Sequence, residues 1–457
     1  MSLWTSLEIA RAVAGEASRD FEANGVAFDS REIVQGDLFI ALKGEATDGH
    51  KFLDQTFARG AAGAIVSEAT DHPHVRVSDT MRALEALGRA ARSRTRAKVI
   101  GVTGSVGKTG TKEALFAALD RTNPGQAHRS VKSYNNHTGV PLSLARMPAA
   151  TRFGVFEMGM NHAGELAALT RLVRPHVALV TTIAPAHTEY FADESAIADA
   201  KGEIFEGLVP GGTAIVPFDS PHRDRLIAAA KPYAAHIVTF GLGEGADVRA
   251  IETMRTRTGG TFVTAQLCKR ELSFTLSQPG MHWVANSMAV LAAVDAVDGD
   301  LEAAGLALAE LGGLPGRGAR FLTRVEGGEA LVIDESYNAN PASMRATLEV
   351  LGHEPAQRKL AVLGEMRELG GHSEAYHAEL SGPVEAAGVN YAILVGDAMG
   401  ALGNALEGAV DFVHVPDAAT ARDRLRAVLA PGDAVLIKGS NAVGLGTLVA
   451  SLAEARA

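Results

Sequence analysis

The chain has 457 residues, 47% of them hydrophobic, which is more than one core usually organises and predicts several domains. Its formal net charge of −10 argues against a nucleic-acid partner, and no apolar run approaches the ~20 residues that a membrane span needs. The single cysteine, Cys268, excludes an intramolecular disulfide and a cysteine-based metal cluster. A reducing cytosol is therefore the expected compartment.

The first region, residues 1–93, is predicted to be a small α/β domain. Thr5 and Glu8 have the spacing of a capping box, which predicts a short helix that stops at Gly15. Strand-like runs alternate with helical segments after it, at 37–42, 64–67 and 75–78. The basic run at 89–98 is expected to be solvated, as a linker or the end of a helix.

The second region, residues 94–312, alternates strands and helices in the way that indicates a parallel sheet covered on both faces. Period-two alternation at 249–276 predicts an antiparallel β insertion, and a helix follows at 283–297. The predicted strands are 99–103, 153–158, 177–183 and 214–216, and the predicted helices are 109–119, 165–172 and 197–208.

The third region, residues 313–457, is predicted to be a second α/β unit of dinucleotide-fold type. It begins with a hairpin, 320–325 and 330–334, and continues with strands at 360–363, 392–395, 412–415 and 434–437. The fold class is thus α/β with three domains: a small N-terminal domain, a central phosphate-loop ATPase-type domain and a C-terminal dinucleotide-fold-like domain.

The strongest local signal is the glycine-rich segment TGSVGKT, which follows a predicted strand and opens a helix. This arrangement directs backbone N–H groups and a helix N-terminus at a phosphate, although the first glycine falls one residue early for the usual spacing. The lysine supplies a point charge and the threonine hydroxyl can bind Mg²⁺. The predicted nucleotide contacts are Thr103, Gly104, Ser105, Val106, Gly107, Lys108 and Thr109.

Two further polar residues are expected at the same edge of the sheet. Glu157 ends the apolar strand FGVFE, and His187 lies just past the strand predicted at 177–183. Because ligands bind at the carboxyl ends of parallel strands, both side chains can face the phosphate loop. A carboxylate and an imidazole there suit Mg²⁺ coordination or acid–base work.

Lys201 falls on the apolar stripe of its predicted helix, four residues from Ile197 and from Phe205. A charged lysine on a buried stripe must snorkel, pair or lose its charge. In the third region, Asp334 and Glu335 end an apolar strand and superficially resemble the acidic pair of an ATPase. They lie beyond a predicted domain boundary, which disfavours that function within one nucleotide-binding domain.

Together these segments resemble the Mur ligases along almost the whole chain. DSR at 29–31, GDLFIALKG at 36–44 and DGH at 48–50 are similar to the family's UDP-binding domain, and TGSVGKT to its ATP loop. The DNPR signature of the branch that adds the third residue is absent. The branch that adds D-alanyl-D-alanine is resembled most by SYNNHTGVP at 133–141, AKGEIF at 200–205 and DESYNANP at 334–341.

The resemblance implies particular binding residues and an ATP-dependent amide-bond-forming ligation. Its ligands would be ATP, Mg²⁺, UDP-N-acetylmuramoyl-tripeptide and D-alanyl-D-alanine. The tripeptide and the dipeptide would be joined through an acyl phosphate. The enzyme would be a monomer in the cytoplasm. Substrate contacts are implied at Ser30, Arg31, Lys43, Asn135, Asn136 and Thr138. Further ATP contacts are implied at His282, Asn286, Arg317, Asp334, Tyr337 and Asn338.

The resemblance also gives Lys201 a function, because it aligns with the family's carbamylated lysine. Thr109 and Glu157 would bind one Mg²⁺, and His187 with carbamylated Lys201 another, so that the implied catalytic residues are Lys108, Glu157, His187 and Lys201. This sequence departs from the family at Pro217, Trp283 and Asn441.

Three alternatives share part of this pattern. A folylpolyglutamate synthase has the ATP loop but not the DSR and DGH segments. A sibling Mur ligase that adds a single amino acid is the nearest alternative, which an assay of dipeptide against single amino acids distinguishes. A GTPase-like switch would need an NKxD signature, which the sequence lacks.

Overall fold

The computed structural model describes residues 2–44, 47–186, 188–257, 259–267 and 270–454. Strands in these ranges form a two-stranded ribbon and sheets of five, nine and six strands. None of the described helices is both long and apolar enough to cross a membrane. The fold class predicted from the sequence is confirmed, since each larger sheet belongs to one of three successive α/β regions.

The first region holds the five-stranded sheet, in the order β2-β7-β6-β5-β4. Neighbours from β7 to β4 are parallel, and β2 is antiparallel to β7. The ribbon pairs β1 with β3. The elements are β1 Trp4–Thr5, α1 Ser6–Val13, β2 Glu16–Ala17, β3 Glu22–Ala23, β4 Gly25–Ala27, β5 Asp37–Ile40, α2 Leu53–Ala58, β6 Gly63–Val66, β7 His74–Arg76 and α3 Thr80–Arg94.

The central region holds the nine-stranded sheet, in the order β16-β15-β14-β13-β12-β11-β8-β10-β9. Strands β8 to β14 are parallel, and β14, β15 and β16 continue the same sheet in antiparallel fashion. Its strands are β8 Lys98–Thr103, β9 Ala127–Arg129, β10 Phe153–Glu157, β11 Val177–Val180, β12 Thr213–Pro217, β13 His236–Gly241, β14 Val248–Arg255, β15 Thr261–Leu267 and β16 Arg270–Leu276.

Helices cover both faces of the central sheet and bury two separate apolar clusters. One cluster packs beneath α4, α9 and α10, and the other beneath α5 to α7. The helices are α4 Lys108–Thr122, α5 Gly139–Ala145, α6 Glu165–Val173, α7 Glu194–Gly202, α8 Arg223–Ala230, α9 Met281–Ala296 and α10 Leu301–Glu310.

The third region holds the six-stranded sheet, in the order β17-β18-β22-β19-β20-β21. Only the predicted hairpin, β17 with β18, pairs antiparallel among the described strands of this sheet. The elements are β17 Ala319–Val325, β18 Gly328–Glu335, α11 Pro341–Gly352, β19 Lys359–Gly364, α12 Ser373–Ala378, α13 Ser381–Ala386, β20 Tyr391–Val395, α14 Gly400–Leu406, β21 Asp411–Val415, α15 Ala418–Val428, β22 Ala434–Lys438 and α16 Leu445–Ala453.

The capping box of the first helix is present, but its end differs from the prediction. The Thr5 hydroxyl accepts the Glu8 N–H, and the Glu8 carboxylate accepts the Thr5 N–H. The helix ends at Val13, and Ala14 takes the left-handed conformation with φ of 51°, so Gly15 is not the cap. The backbone N–H of Gly15 still returns to the carbonyl of Ala10.

The expectation that the basic run 89–98 is solvated is wrong for two of its arginines. Arg92 is buried, and its guanidinium donates to the carbonyls of Val173 and Arg174 in the central region. Arg94 lies over the Trp4 ring at 3.5 Å from its centroid. The guanidinium of Arg94 also donates to the carbonyl of Met147 in the central region at 3.3 Å. Both arginines therefore join the first region to the central one, a function that periodicity on a single helix does not reveal.

The helix predicted at 197–208 ends earlier than expected. α7 stops at Gly202, and a 3₁₀ turn, Glu203–Gly207, follows it. At this change from α-helical to 3₁₀ geometry, the Glu203 carboxylate accepts the N–H groups of Gly164 and Ala167 at the start of α6. The strand predicted at 177–183 also ends early, at Val180, and the hydroxyl of Thr181 directly after it donates to the carbonyl of Val106 at 2.6 Å.

Candidate active site

The phosphate loop lies between the end of β8 and the start of α4. Gly104 and Gly107 have φ of 145° and 88°, a region of backbone conformation that favours glycine. A Cβ atom on Gly104 would lie 1.9 Å from the Thr181 hydroxyl oxygen, so a side chain does not fit. The loop is therefore shaped by tight contacts with the end of β11, and α4 begins directly after it at Lys108.

Lys108 is the cation of this loop. Its Nζ donates to the carbonyl of Gly104 at 2.7 Å. Burial lowers the pKa of Lys108, and the nearby Glu157 carboxylate opposes that shift. Lys108 therefore has one nearby carboxylate as an electrostatic partner and is placed to bind an incoming phosphate.

Glu157 ends β10, directly beside β8, and its side chain is 1% exposed. One carboxylate oxygen accepts the hydroxyl of Thr109 at 2.9 Å, and the other accepts the amide of Asn135 at 2.8 Å. The backbone N–H of Glu157 donates to the hydroxyl of Ser130. A carboxylate and a hydroxyl oxygen held together in this way are hard ligands of the kind that Mg²⁺ prefers.

Lys201 lies on α7 with 1% of its surface exposed, among Ile197, Ile204 and Phe205, which are fully buried. It nevertheless lines the same cavity as Lys108. Burial, with a contribution from the charge of Lys108, lowers the pKa of Lys201 well below its ordinary value. Across the described parts of the chain, no carboxylate forms an ion pair with this amine. His187 lies outside the described residues.

The third region forms the facing wall of the cavity. The guanidinium of Arg317 lies 4.1 Å from the centroid of the Tyr337 ring. Asp334 is buried, and its carboxylate accepts the N–H of Gly316 at 2.6 Å and that of Ser336 at 3.1 Å. Asp334 thereby fixes the turn that presents Arg317 and does not itself line the cavity.

Glu335 and Lys438 form an ion pair on this wall, with 3.7 Å between the carboxylate oxygen and the ammonium nitrogen. Burial raises the pKa of Glu335 and lowers that of Lys438. The Lys438 ammonium also donates to the carbonyl of Asn338 at 2.9 Å. Both side chains lie at the carboxyl ends of neighbouring parallel strands, β18 and β22.

The first turn of α9 closes one end of the cavity. A Cβ atom on Gly107 would lie 2.9 Å from the Asn286 side chain, and one on Gly110 would lie 2.8 Å from the Trp283 ring. Burial lowers the pKa of His282 to about 4. Asn286 and the Trp283 indole therefore lie against the phosphate loop and the first turn of α4, and the neutral imidazole of His282 lines the same cavity.

These elements enclose a cavity of about 440 Å³ between the central and third regions. It brings together most of the residues predicted from the sequence: Ser105, Val106, Gly107, Lys108, Thr109, Asn135, Glu157, Lys201, His282, Asn286, Arg317, Tyr337 and Asn338. Eight other predicted residues in the described ranges do not line it, namely Thr103, Gly104, Asn136, Thr138, Asp334 and, in the first region, Ser30, Arg31 and Lys43. Asn136 instead accepts the N–H groups of Thr138 and Gly139 at the start of α5.

Several lining residues were not assigned to the site by the sequence. These include Ser133, Asn161, Trp283, Glu335 and Lys438. Glu335 and Lys438 carry a usable signal, since each ends an apolar strand of a parallel sheet. What the sequence could not supply is the docking of that strand edge against the phosphate loop of another region.

The residues predicted to bind UDP lie apart from this cavity, in the first region. Arg31 is exposed and donates to both carboxylate oxygens of Asp29, and Ser30 lies between the two residues in sequence. Lys43 is exposed near Asp48, at 3.9 Å. His50 has both ring nitrogens engaged, by Asp48 and by the N–H of Ser67, so the nearby cluster of Asp48, His50 and Glu68 fits a loop support better than a metal site.

A more open cleft of about 580 Å³ lies at the opposite edge of the central sheet, where β8 and β10 begin. Its charged side chains are mainly basic, and it contains neither the glycine-rich loop nor a strand-end carboxylate. The chemistry therefore belongs to the smaller cavity between the regions.

A phosphate-loop α/β domain whose cavity is completed by a second α/β domain defines an ATP-binding enzyme. Three family models match in chain order: "Mur ligase family, catalytic domain" at 22–101, "Mur ligase middle domain" at 102–294 and "Mur ligase, glutamate ligase domain" at 319–441. The chain belongs to the Mur ligase family.

Relatives within the family are similar along nearly their whole length. The UDP-N-acetylmuramoyl-tripeptide–D-alanyl-D-alanine ligase of Escherichia coli K12 is 35% identical over 440 residues, 95% of each chain. A MurF structure from Acinetobacter baumannii superposes with a TM-score of 0.84 at 32% identity, covering 99% of both chains. The MurF ligase of Thermotoga maritima in complex with ADP gives 0.77 at 26% identity, covering 95% of this chain and 98% of that one.

Proposed function

We propose that this protein joins D-alanyl-D-alanine to UDP-N-acetylmuramoyl-tripeptide at the expense of ATP, forming the pentapeptide precursor of peptidoglycan. The observation that carries the proposal is one cavity in which Lys108, the Thr109–Glu157 pair and buried Lys201 face Arg317 of another region. The relative from Escherichia coli, named for this reaction, is similar along 95% of the chain.

The residues fit a two-step ligation. The terminal carboxylate of the tripeptide attacks the γ-phosphorus of ATP, which gives an acyl phosphate and ADP. The amine of the dipeptide then attacks the acyl carbon, and inorganic phosphate leaves as the amide forms. Charge collects on phosphoryl oxygens in both steps, where Lys108 and the loop N–H groups would stabilise it. Arg317 lines the same cavity from the third region and would hold the nucleotide.

Mg²⁺ fits the ligand set beside the phosphate loop. Thr109 and Glu157 would hold it, because a hydroxyl and a buried carboxylate oxygen already lie 2.9 Å apart there. The metal would neutralise phosphate charge when bound. Asn135 keeps the carboxylate oriented through its 2.8 Å hydrogen bond. His187 stays a predicted ligand of a second ion.

Lys201 is proposed to be carbamylated. Its amine would add to CO₂ and release a proton, so that a carbamate replaces the ammonium. Support comes from its burial, its lowered pKa and the absence of an ion pair with any described carboxylate. An uncharged amine is the form that reacts with CO₂, and the resulting anion would be attracted to Lys108 and to a metal. The snorkelling alternative is disfavoured by the 1% exposure.

The first region is proposed to bind the UDP moiety through Ser30, Arg31 and Lys43, with Asn135, Asn136 and Thr138 near the peptide. The domain boundaries at 93/94 and 312/313 are part of the same proposal. A cytoplasmic location and a monomeric state are also part of it. Light scattering on the purified protein would measure its molar mass and so check the monomeric state.

The direct test is phosphate release by the purified protein with UDP-N-acetylmuramoyl-tripeptide, ATP and a panel of amine donors. D-alanyl-D-alanine should support turnover. The single amino acids D-alanine, L-lysine, diaminopimelate and L-glutamate serve as the comparison donors. Mass spectrometry should find the pentapeptide product. Turnover with a single amino acid but not with the dipeptide would instead favour a sibling ligase. Turnover with a folate acceptor would favour the folylpolyglutamate synthase alternative.

A further inference from the structure

The first region contacts the central region through the segment 130–136, which follows β9. Glu32, next to the predicted UDP contacts Ser30 and Arg31, accepts the hydroxyl of Tyr134 at 2.9 Å. The same carboxylate forms an ion pair with Lys132. The Tyr134 ring also packs on Phe28 of the first region, with centroids 5.6 Å apart.

The other side of this segment supports the proposed metal carboxylate. The Asn135 amide donates to Glu157 at 2.8 Å, and the Asn135 carbonyl accepts the N–H of Gly159 at 2.8 Å. Ser130 accepts the N–H of Glu157 at 3.0 Å. The segment therefore lies between a substrate-binding region and the ligands of the phosphate site.

The backbone of the segment is held in a single, uncommon shape. Lys132 has φ of 48°, in the left-handed region that side chains other than glycine adopt at a cost. Its carbonyl accepts the ammonium of Lys112, a fully buried lysine on α4, one turn beyond Lys108. The segment is thus held from α4, from β10 and, through Glu32, from the first region.

We infer that Glu32 is a positioning residue that couples occupancy of the UDP site to nucleotide and metal binding, through Tyr134 and Asn135. This inference rests on the proposed function. Substrate that orders the loop carrying Ser30 and Arg31 also fixes Glu32, and a fixed Glu32 holds Tyr134, which neighbours Asn135. Stabilising the orientation of Asn135 stabilises that of Glu157, the carboxylate that the nucleotide and Mg²⁺ need.

The two contacts of Glu32 differ in strength. The side chain of Lys132 is 63% exposed, and exposed ion pairs contribute little because water and salt screen them. Tyr134 is half-buried, and burial together with the Glu32 hydrogen bond raises the pKa of its hydroxyl to about 12. The Tyr134 contact therefore carries the coupling, and the Lys132 contact adds a salt-dependent part.

The test measures binding, so that it needs no turnover. Calorimetry would give the Kd of Mg²⁺ with a non-hydrolysable ATP analogue, with and without saturating UDP-N-acetylmuramoyl-tripeptide. In wild-type protein the substrate should tighten analogue binding about fivefold or more. Glu32→Gln and Tyr134→Phe should bring this ratio close to one, and Lys132→Ala should lower it slightly. Glu22→Gln, an exposed glutamate on β3, is the matched control and should keep the wild-type ratio.

If Glu32 and Tyr134 had only a structural function, their substitution would change thermal stability or both Kd values without changing the ratio of the two Kd values. A wild-type ratio of one, or a wild-type ratio retained in both Glu32→Gln and Tyr134→Phe, would overturn the coupling and leave the proposed function standing. Wild-type protein that binds the analogue but not the UDP substrate would overturn both.

Discussion

The two walls of the ATP cavity are built from similar sheets that present very different chemistry. The central sheet offers its carboxyl edge as a glycine-rich loop with Lys108 and the Thr109–Glu157 pair. The third sheet offers its carboxyl edge as two cations, Arg317 and Lys438, each held by an aromatic ring or an acid. We propose that the first wall stabilises charge that moves during the reaction and that the second wall holds the nucleotide.

The residues that come directly after the strands therefore determine the function of each wall, although both walls have the same fold type. In the central sheet, β8 leads into a turn with two positive-φ glycines, which the N-terminus of α4 follows directly. In the third sheet, Asp334 lies at the end of an equivalent strand but is used to fix the turn at Gly316. Variants on the first wall should therefore reduce turnover, whereas variants on the second should mainly weaken ATP binding.

Lys108→Ala should have the largest effect. The loop loses its point charge but no core packing, so kcat/KM for phosphate release should fall at least ~100-fold while the fold stays intact. Steady-state phosphate release and circular dichroism would measure the two quantities. A folded variant that keeps more than a few per cent of wild-type activity would contradict the assignment of the phosphate loop.

Lys201→Ala comes next, because it removes the proposed carbamate without touching the loop. Activity should fall by about 10–100-fold, as for other groups that orient or complete a metal site. Acetate should partly restore it by occupying the vacated position, and a methylamine salt should not. Full activity of the alanine variant in CO₂-depleted buffer would show that no carbamate is needed.

Arg317→Ala should produce a smaller and different change. Losing a charge-assisted contact of ~1.5 kcal/mol should raise the KM for ATP about tenfold, with kcat little affected. Tyr337→Phe is the matched control, since it keeps the ring beneath the guanidinium. If Arg317→Ala lowered kcat as strongly as Lys108→Ala while leaving KM unchanged, the division of labour between the walls would be wrong.

Acidification should destabilise the central region through its buried histidines. Burial lowers the pKa of His128, His176 and His282 to about 4, below the ordinary 6.5. The unfolded chain therefore binds protons between pH 6.5 and 4 that the folded chain does not. The stability they contribute is fully present above pH 6.5 and is lost as pH falls towards 4.

His128→Gln should therefore reduce the pH dependence modestly. The amide can still donate to the carbonyl of Ser143, which accepts from His128 at 2.7 Å in the wild-type chain, but it does not titrate. Urea midpoints measured from pH 7 to 4.5 should fall less steeply in the variant. Equal slopes would mean that His128 does not contribute to acid destabilisation.

The first wall was largely predictable and the second only in part. The phosphate loop and Glu157 follow from local spacing and from the rule that parallel strands share a carboxyl edge. Lys201 was found through its buried stripe, although its α-helix ends at Gly202, earlier than predicted. Arg317, Tyr337 and Asn338 came from the family resemblance, and all three line the cavity.

The features that the sequence missed depend on contacts between regions. Arg92 was expected in solvent, yet it donates to carbonyls at the end of α6. The distance of Glu335 along the chain argues against a place in the nucleotide site, yet it lines the cavity with Lys108. Distance along the chain carries no information about how two folded regions dock. The roles of the individual site residues stay predictions until they are measured.

If one nucleotide contacts both walls, substitutions on the two walls should affect its binding in a coupled way, which a double-mutant cycle measures. Binding of a non-hydrolysable ATP analogue would be measured for wild type, Lys108→Ala, Arg317→Ala and the double variant. The charge of Arg317 already contributes to lowering the pKa of Lys108, so the two cations interact across the cavity. A shared nucleotide predicts a coupling of at least ~0.5 kcal/mol between the two substitutions. Strictly additive losses would contradict a single ATP site built from both walls.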